Sequence, residues 1–282
     1  MPEVIFDAII GSFEFLPYLF LIYLVIEVFE NAKSKGKIER ALSGTCAPLV
    51  GAGVGLVPEC GFSIMSAKLF DKGFIQMGTL IAVLLATSDE GLIVLISGGA
   101  PLFDILKLVV WKFAWATLIG CLINTFLSRL DNPRFASTNG ECSECGATHE
   151  SIFERYVIHP FCHASTTFLI IIVEEIVLGI LIYLIGEQNL YAFVNKNAIF
   201  QPLVASVVGL IPTCASSIII SKSYLSGILG FGGLLAGLST NAGLGVMMLV
   251  KSKRSYKKSI IVFVILYLAG VSAGYLAMLL GF

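Results

Sequence analysis

Apolar residues recur along this chain in blocks of about twenty, the length that crosses a bilayer core of ~30 Å as helix. Four blocks predict full membrane spans, at roughly 12–29, 104–128, 165–186 and 259–281. Between them lie two glycine-rich regions, about 41–98 and 199–250, in which Pro, Ser, Thr and Asn interrupt the apolar pattern. Composition agrees: of 282 residues, 57% are hydrophobic and 13% charged, with a mean hydropathy of +0.91. A soluble domain carries about 25% charged residues. The pattern therefore predicts an all-α polytopic membrane protein whose first partner is the lipid bilayer. A formal net charge of −1 argues against nucleic acid as another.

The distribution of charge adds orientation. Lys33, Lys35, Lys37 and Arg40 crowd one loop, and Lys251, Lys253, Arg254, Lys257 and Lys258 crowd another. The segments 98–103 and 187–199 hold almost none. The positive-inside tendency places 31–40 and 251–258 in the cytoplasm, with both termini outside a cell's inner (plasma) membrane. Met1-Pro2-Glu3 offers no basic n-region, so no cleavable signal is expected. The seven cysteines are odd in number and lie mostly in apolar segments, which predicts reduced thiols.

An internal repeat organises the chain. Pro48 to Gly91 aligns without gaps on Pro202 to Gly245, a shift of 154 residues. Val54-Gly55-Leu56-Val57-Pro58-Glu59-Cys60 meets Val208-Gly209-Leu210-Ile211-Pro212-Thr213-Cys214, and Ser63, Lys68, Gly73 and Gly78 meet Ser217, Lys222, Gly227 and Gly232. The basic loop precedes the repeated block in the first half and follows it in the second. The halves are therefore expected to be inverted, as in many secondary transporters. They comprise 1–130 and 151–282, joined by a polar cytoplasmic linker at 131–150.

Inversion requires an odd number of crossings within 41–98. Three short crossings satisfy it, as does a re-entrant hairpin (41–70) followed by one broken helix (73–98), with 199–224 as the hairpin's counterpart. Pro58 and Pro212, lacking a backbone donor, favour a break at each hairpin tip. A second pair of breaks falls at Thr87-Ser88-Asp89-Glu90 and Ser239-Thr240-Asn241. Irregular backbone at membrane depth survives only where it is buried in protein or lines a cavity. Four paired breaks thus predict one central site near the midplane.

Candidate chemistry gathers there. Asp89 and Glu90 are adjacent acids within an apolar run, and intramembrane acids are costly and usually functional. With Glu59, Cys60, Cys214 and Asn241 they form the expected metal-ligand set, and Ser63, Thr87, Ser88, Thr213, Ser217 and Thr240 complete the expected substrate lining. Thiolates favour soft ions, whereas carboxylate and carbonyl oxygens suit manganese or magnesium. The competing account makes Cys60 and Cys214 small packing residues beside the prolines. Glu174 and Glu175, in the middle of a span, are candidate coupling groups that relay protons or cations.

His159, Cys162 and His163 have helical spacing able to hold a metal, or are simply solvated. Cys142 and Cys145 form one Cys-x-x-Cys in the linker, with His149 nearby; a structural zinc site normally has four ligands, so a flexible linker is the plainer account. Gly51 with Gly55, and Gly233 with Gly237, predict close helix packing. No phosphate-binding loop, nucleophile elbow or zinc-protease motif occurs, so no enzyme and no resident cofactor are expected.

The stretches Gly55-Leu56-Val57-Pro58-Glu59-Cys60-Gly61-Phe62-Ser63, Gly78-Thr79-Leu80-Ile81-Ala82-Val83 and Ala86-Thr87-Ser88-Asp89-Glu90 resemble the "putative ten-helix heavy-metal exporter" family, also labelled manganese transporters or arsenic-permease-like proteins. Gly209-Leu210-Ile211-Pro212-Thr213-Cys214-Ala215, Leu235-Ala236-Gly237-Leu238 and His163-Ala164 resemble its second-half motifs. The resemblance spans most of the chain outside 130–150 and implies ten crossings, five per half. The expected function is export of a divalent transition metal, manganese first, by alternating access with proton coupling. A transporter of a small organic or oxyanionic solute is the alternative, and a channel, a metal sensor or an intramembrane enzyme are further classes. A homo-oligomer is compatible with any of these.

Overall fold

A computed structural model describes residues 46–57, 60–71, 73–87, 89–127, 198–211, 213–251 and 256–281, with isolated positions at 24, 161, 165 and 169. The chain divides into two compact units, and all the helices described here belong to the one formed by Glu39–Arg134 and Glu187–Phe282. In chain order they are α1 (Ala47–Gly55), α2 (Cys60–Asp71), α3 (Met77–Ala86), α4 (Asp89–Ser97) and α5 (Leu102–Leu127). After a 3₁₀ turn at Ala198–Phe200 come α6 (Gln201–Gly209), α7 (Cys214–Leu225), α8 (Phe231–Thr240), α9 (Gly243–Lys251) and α10 (Tyr256–Leu279). No strand occurs among the described residues.

Local sequence accounts for these boundaries. Pro48 and Pro202 sit in the first turns of α1 and α6, where a missing N–H costs nothing. The first four helices of each set have 9, 12, 10 and 9 residues. At ~1.5 Å per residue none of these crosses ~30 Å alone. Among the described residues four stretches are long and apolar enough to cross: Met77–Ser97, Leu102–Phe126, Phe231–Val250 and Lys258–Leu279. The first and third are the broken pairs α3–α4 and α8–α9.

Burial separates core from periphery. All ten residues of α3 are buried, and in α8 every residue after Phe231 is. On α5 the apolar residues Leu102, Leu106, Val110, Leu118, Leu122 and Phe126 are exposed, all at multiples of four from the first. Spacing of four makes successive members neighbours, in a stripe that winds slowly round the helix. Such an apolar stripe belongs against hydrocarbon rather than water, and the protein is a multi-pass membrane protein.

Glycines set the closest approaches. A Cβ on Gly55 would lie 2.5 Å from the Val83 carbonyl oxygen, and one on Gly209 would strike that of Gly237, so α1 packs on α3 and α6 on α8 backbone to backbone. Gly78 of α3 meets Gly120 of α5, and Gly232 of α8 meets Gly274 of α10 in the same manner. Each of these contacts has a counterpart 154 residues later. The two sets also cross over: α2 packs against α9, and α4 against α7. There a Cβ on Gly245 would sit 2.6 Å from the Ser63 carbonyl, and one on Gly91 would sit 3.1 Å from Ser217 Cβ.

Candidate functional site

The site grows from the two places where a buried helix stops inside the core. Helix α3 ends as Thr87 turns to an extended ψ of 131°, its N–H still bonded to Val83 and its hydroxyl donating to the same carbonyl at 2.8 Å. Helix α8 ends at Asn241, whose ψ of 96° likewise leaves the helix. The chain restarts at Gly243 with φ +53°, a left-handed conformation that glycine adopts without strain. The Gly243 N–H donates to Asn241 Oδ1 at 3.1 Å, so the side chain caps the start of α9.

Asn241 is 2% exposed, and its amide Nδ2 has no partner among the described residues. With one lone pair of Oδ1 taken by Gly243, this residue can offer a ligand the second lone pair and the Nδ2 donor. Thr240 turns its hydroxyl back to the Ala236 and Gly237 carbonyls at 2.8 and 3.0 Å. Thr213 caps α7 by accepting from the Ser216 N–H at 3.3 Å. These hydroxyls serve the helix ends first, and only their remaining lone pairs face elsewhere.

Between the breaks stands Lys112, a residue that sequence reasoning passed over. It lies ten residues into α5 and is 1% exposed. Ten residues are ~15 Å of helix, so the side chain sits far from either end. Its Nζ donates to the carbonyl of Thr87, at the end of α3, and to that of Leu238, in the last turn of α8, the latter at 2.8 Å. One ammonium thus ties both breaks. The signal in the sequence was there: a single Lys between Trp111 and Phe113 in the middle of a span, where an ionisable residue is expensive.

The remaining expected residues fall into groups. Ser217 is buried against Gly91, and neighbouring Ser221 donates to the Gly91 carbonyl at 2.9 Å, joining α7 to the first turn of α4. Ser63 is buried against Gly245 in the counterpart contact. Asp89 and Glu90 open α4, and Cys60 and Cys214 open α2 and α7. The side chains of those four lie outside the description, as do Glu59, Ser88, Glu174, Glu175, His159, Cys162, His163 and the Cys142–Cys145 linker. Among the described residues no group of three His, Cys, Asp or Glu side chains could hold a metal. Cys46 and Cys121 are free thiols.

Residues 2–188 and 176–281 match the family described as "Putative, 10TM heavy-metal exporter". The chain belongs to that family. No curated protein and no solved structure matches it. It is accordingly a membrane transporter of the heavy-metal exporter family rather than an enzyme.

Proposed function

We propose that this exporter moves a divalent transition-metal ion, manganese first, by alternating access between two inverted repeats. Each repeat has about five membrane segments, the first within 1–130 and the second within 151–282, with 131–150 as a cytoplasmic linker. The short arms α1–α2 and α6–α7 act as re-entrant hairpins, and α3–α4 and α8–α9 as broken spans meeting near the midplane of the inner membrane. The observation that carries this reading is the pair of helix ends at Thr87 and Asn241, both buried, with the carbonyl ends of α3 and α8 joined through Lys112.

Unwound carbonyls and half-helix ends are where transporters of this organisation bind ions. Asp89 and Glu90, at the start of α4, would supply the anionic ligands. Glu59, Cys60, Cys214 and Asn241 would complete the set, and Glu174 with Glu175 would pass protons. Metal flux into proteoliposomes tests the assignment. Asp89→Asn with Glu90→Gln is expected to reduce flux to background, and flux equal to wild type would remove these acids from the site. Glu174→Gln should abolish the pH dependence of that flux.

One observation favours a second cargo, a small oxyanionic or organic solute. The unpartnered Asn241 Nδ2 is a donor, and α4 and α9 begin at the same breaks with N–H groups suited to anions. Mass spectrometry of the purified protein distinguishes the two: a stoichiometric organic anion supports this cargo, and a bound transition metal supports the first.

A further inference from the structure

We infer that Lys112 is a tethered cation filling a small monovalent-cation site, built from the carbonyl ends of α3 and α8, so that this transporter needs no free sodium or potassium in that place. The inference deepens the proposed function, and only its flux arm rests on that reading.

The site is defined by its acceptors. The last four carbonyls of a helix have no partner within the helix, and each C-terminus carries roughly half a negative charge. Two such ends converge here, one at Thr87 and one at Leu238, and each turns the negative end of its dipole towards the ammonium. The ammonium donates to a carbonyl at each end. In broken-helix transporters, carbonyls of this kind hold a coupling ion. Here the chain's own side chain delivers the charge, on a stem that enters from the third helix, α5.

The counterpart of Lys112 at the 154-residue shift is Leu266, fully buried in the apolar cluster with Val262 and Ala269. The cation is therefore supplied by α5 alone, although it reaches both breaks, and is not a requirement of the packing itself. A lysine serving only to fill space would be replaceable by methionine, which has similar length and flexibility. A lysine serving as the site's cation would be replaceable only by another cation small enough to enter the space left by the stem.

Thermal unfolding of the full chain in detergent separates these roles. The proteins are wild type, Lys112→Ala and Lys112→Met, each in methylammonium chloride or tetramethylammonium chloride at equal ionic strength. Lys112→Ala should melt below wild type and recover by about 3 °C or more once methylammonium exceeds its dissociation constant about tenfold. Tetramethylammonium, with no N–H to donate, should not restore it. Wild type and Lys112→Met should respond to neither salt.

An alanine variant as stable as wild type, or one stabilised equally by both salts, overturns the inference. If the alanine variant must be purified with the cation present, recovery in methylammonium alone supports the site, and recovery in neither salt overturns it. The flux arm uses wild type. Manganese flux should be unchanged within about twofold when choline replaces sodium and potassium, and a tenfold loss (about 1.4 kcal/mol) would show the coupling position open to free ions. Absence of manganese flux in every buffer would remove the proposed cargo and leave the melting result standing.

Discussion

The two long helices α5 and α10 hold counterpart positions 154 residues apart, yet they tie into the bundle differently. Where α5 has Lys112, Trp115 and Asn124, α10 has Leu266, Ala269 and Met278. Each of the three α5 side chains bonds backbone. Lys112 reaches Thr87 and Leu238; Trp115 Nε1 donates to the Ala269 carbonyl at 2.9 Å; Asn124 Oδ1 accepts from the Gly78 N–H at 3.0 Å. Their counterparts offer only apolar packing. The acids at the breaks follow the same bias, because Asp89-Glu90 faces Gly243-Leu244 in the repeat. Shared architecture thus fixes where helices stop, and the first half supplies the charge placed at those stops.

The strongest way to break the comparison is to give α10 a lysine of its own. Leu266 is fully buried among apolar residues. Leu266→Lys would add a charge with no counterion already in place, at a cost of about 3–5 kcal/mol. The expected outcome is loss of the monodisperse peak in detergent. A Leu266→Lys protein with a wild-type melting point would mean that the second half can host the same cation.

A smaller asymmetry lies at the glycine contacts. An added Cβ at Gly78 would run into the Gly120 carbonyl, which is backbone and cannot yield, and into the Asn124 amide that bonds this residue. At Gly232 the first obstacle is Met278 Cγ, 2.5 Å away on a flexible side chain, with the Gly274 carbonyl at 2.9 Å. Gly78→Ala should cost about 3 kcal/mol and Gly232→Ala about 1 kcal/mol, read as depressions of the unfolding midpoint. Equal depressions would mean that the Asn124 tie adds no rigidity.

Asn241→Asp makes the second break acidic like the first. The new carboxylate still accepts from Gly243 but loses the donor at Nδ2. For a metal cargo, the manganese concentration giving half-maximal flux should fall about tenfold, equivalent to about 1.4 kcal/mol. A rise of similar size would indicate a cargo that accepts hydrogen bonds.

Much of this framework was legible in the residues, for physical reasons. Spans at 104–128 and 259–281 correspond to α5 at Leu102–Leu127 and α10 at Tyr256–Leu279, because runs of apolar residues long enough to cross are unambiguous. Pauses near Pro58 and at Thr87 were expected, and helices stop at Gly55 and Ala86. Gly51, Gly55 and Gly237 line close contacts as their spacing suggested, with Gly51 against Thr79 and Val83. What stayed hidden were bonds from side chains to distant carbonyls. Lys112 reaches partners 25 and 126 residues away in sequence, and a carbonyl leaves no mark in residue identity. The thiol and carboxylate candidates at Cys60, Asp89, Glu90 and Cys214 were placed by the repeat; the structure adds their position at helix starts.

The smallest expected effect concerns the crossing contacts, where the halves differ by one hydroxyl. Ser221 of α7 donates to the Gly91 carbonyl at 2.9 Å, and its counterpart on α2 is Ala67, which has no such group. Ser221→Ala would therefore make the α4–α7 contact resemble the α2–α9 contact. The bond is buried and uncharged, so its loss should cost about 1 kcal/mol. The unfolding midpoint should drop by about 2–4 °C, as expected for a chain of this size. The informative part is flux. If α4 moves against α7 during transport, this bond must break in each cycle, and Ser221→Ala should speed turnover while lowering stability. If the two helices travel together, stability falls and turnover holds. The serine would then be a fastener within a rigid pair, and motion would lie elsewhere in the bundle.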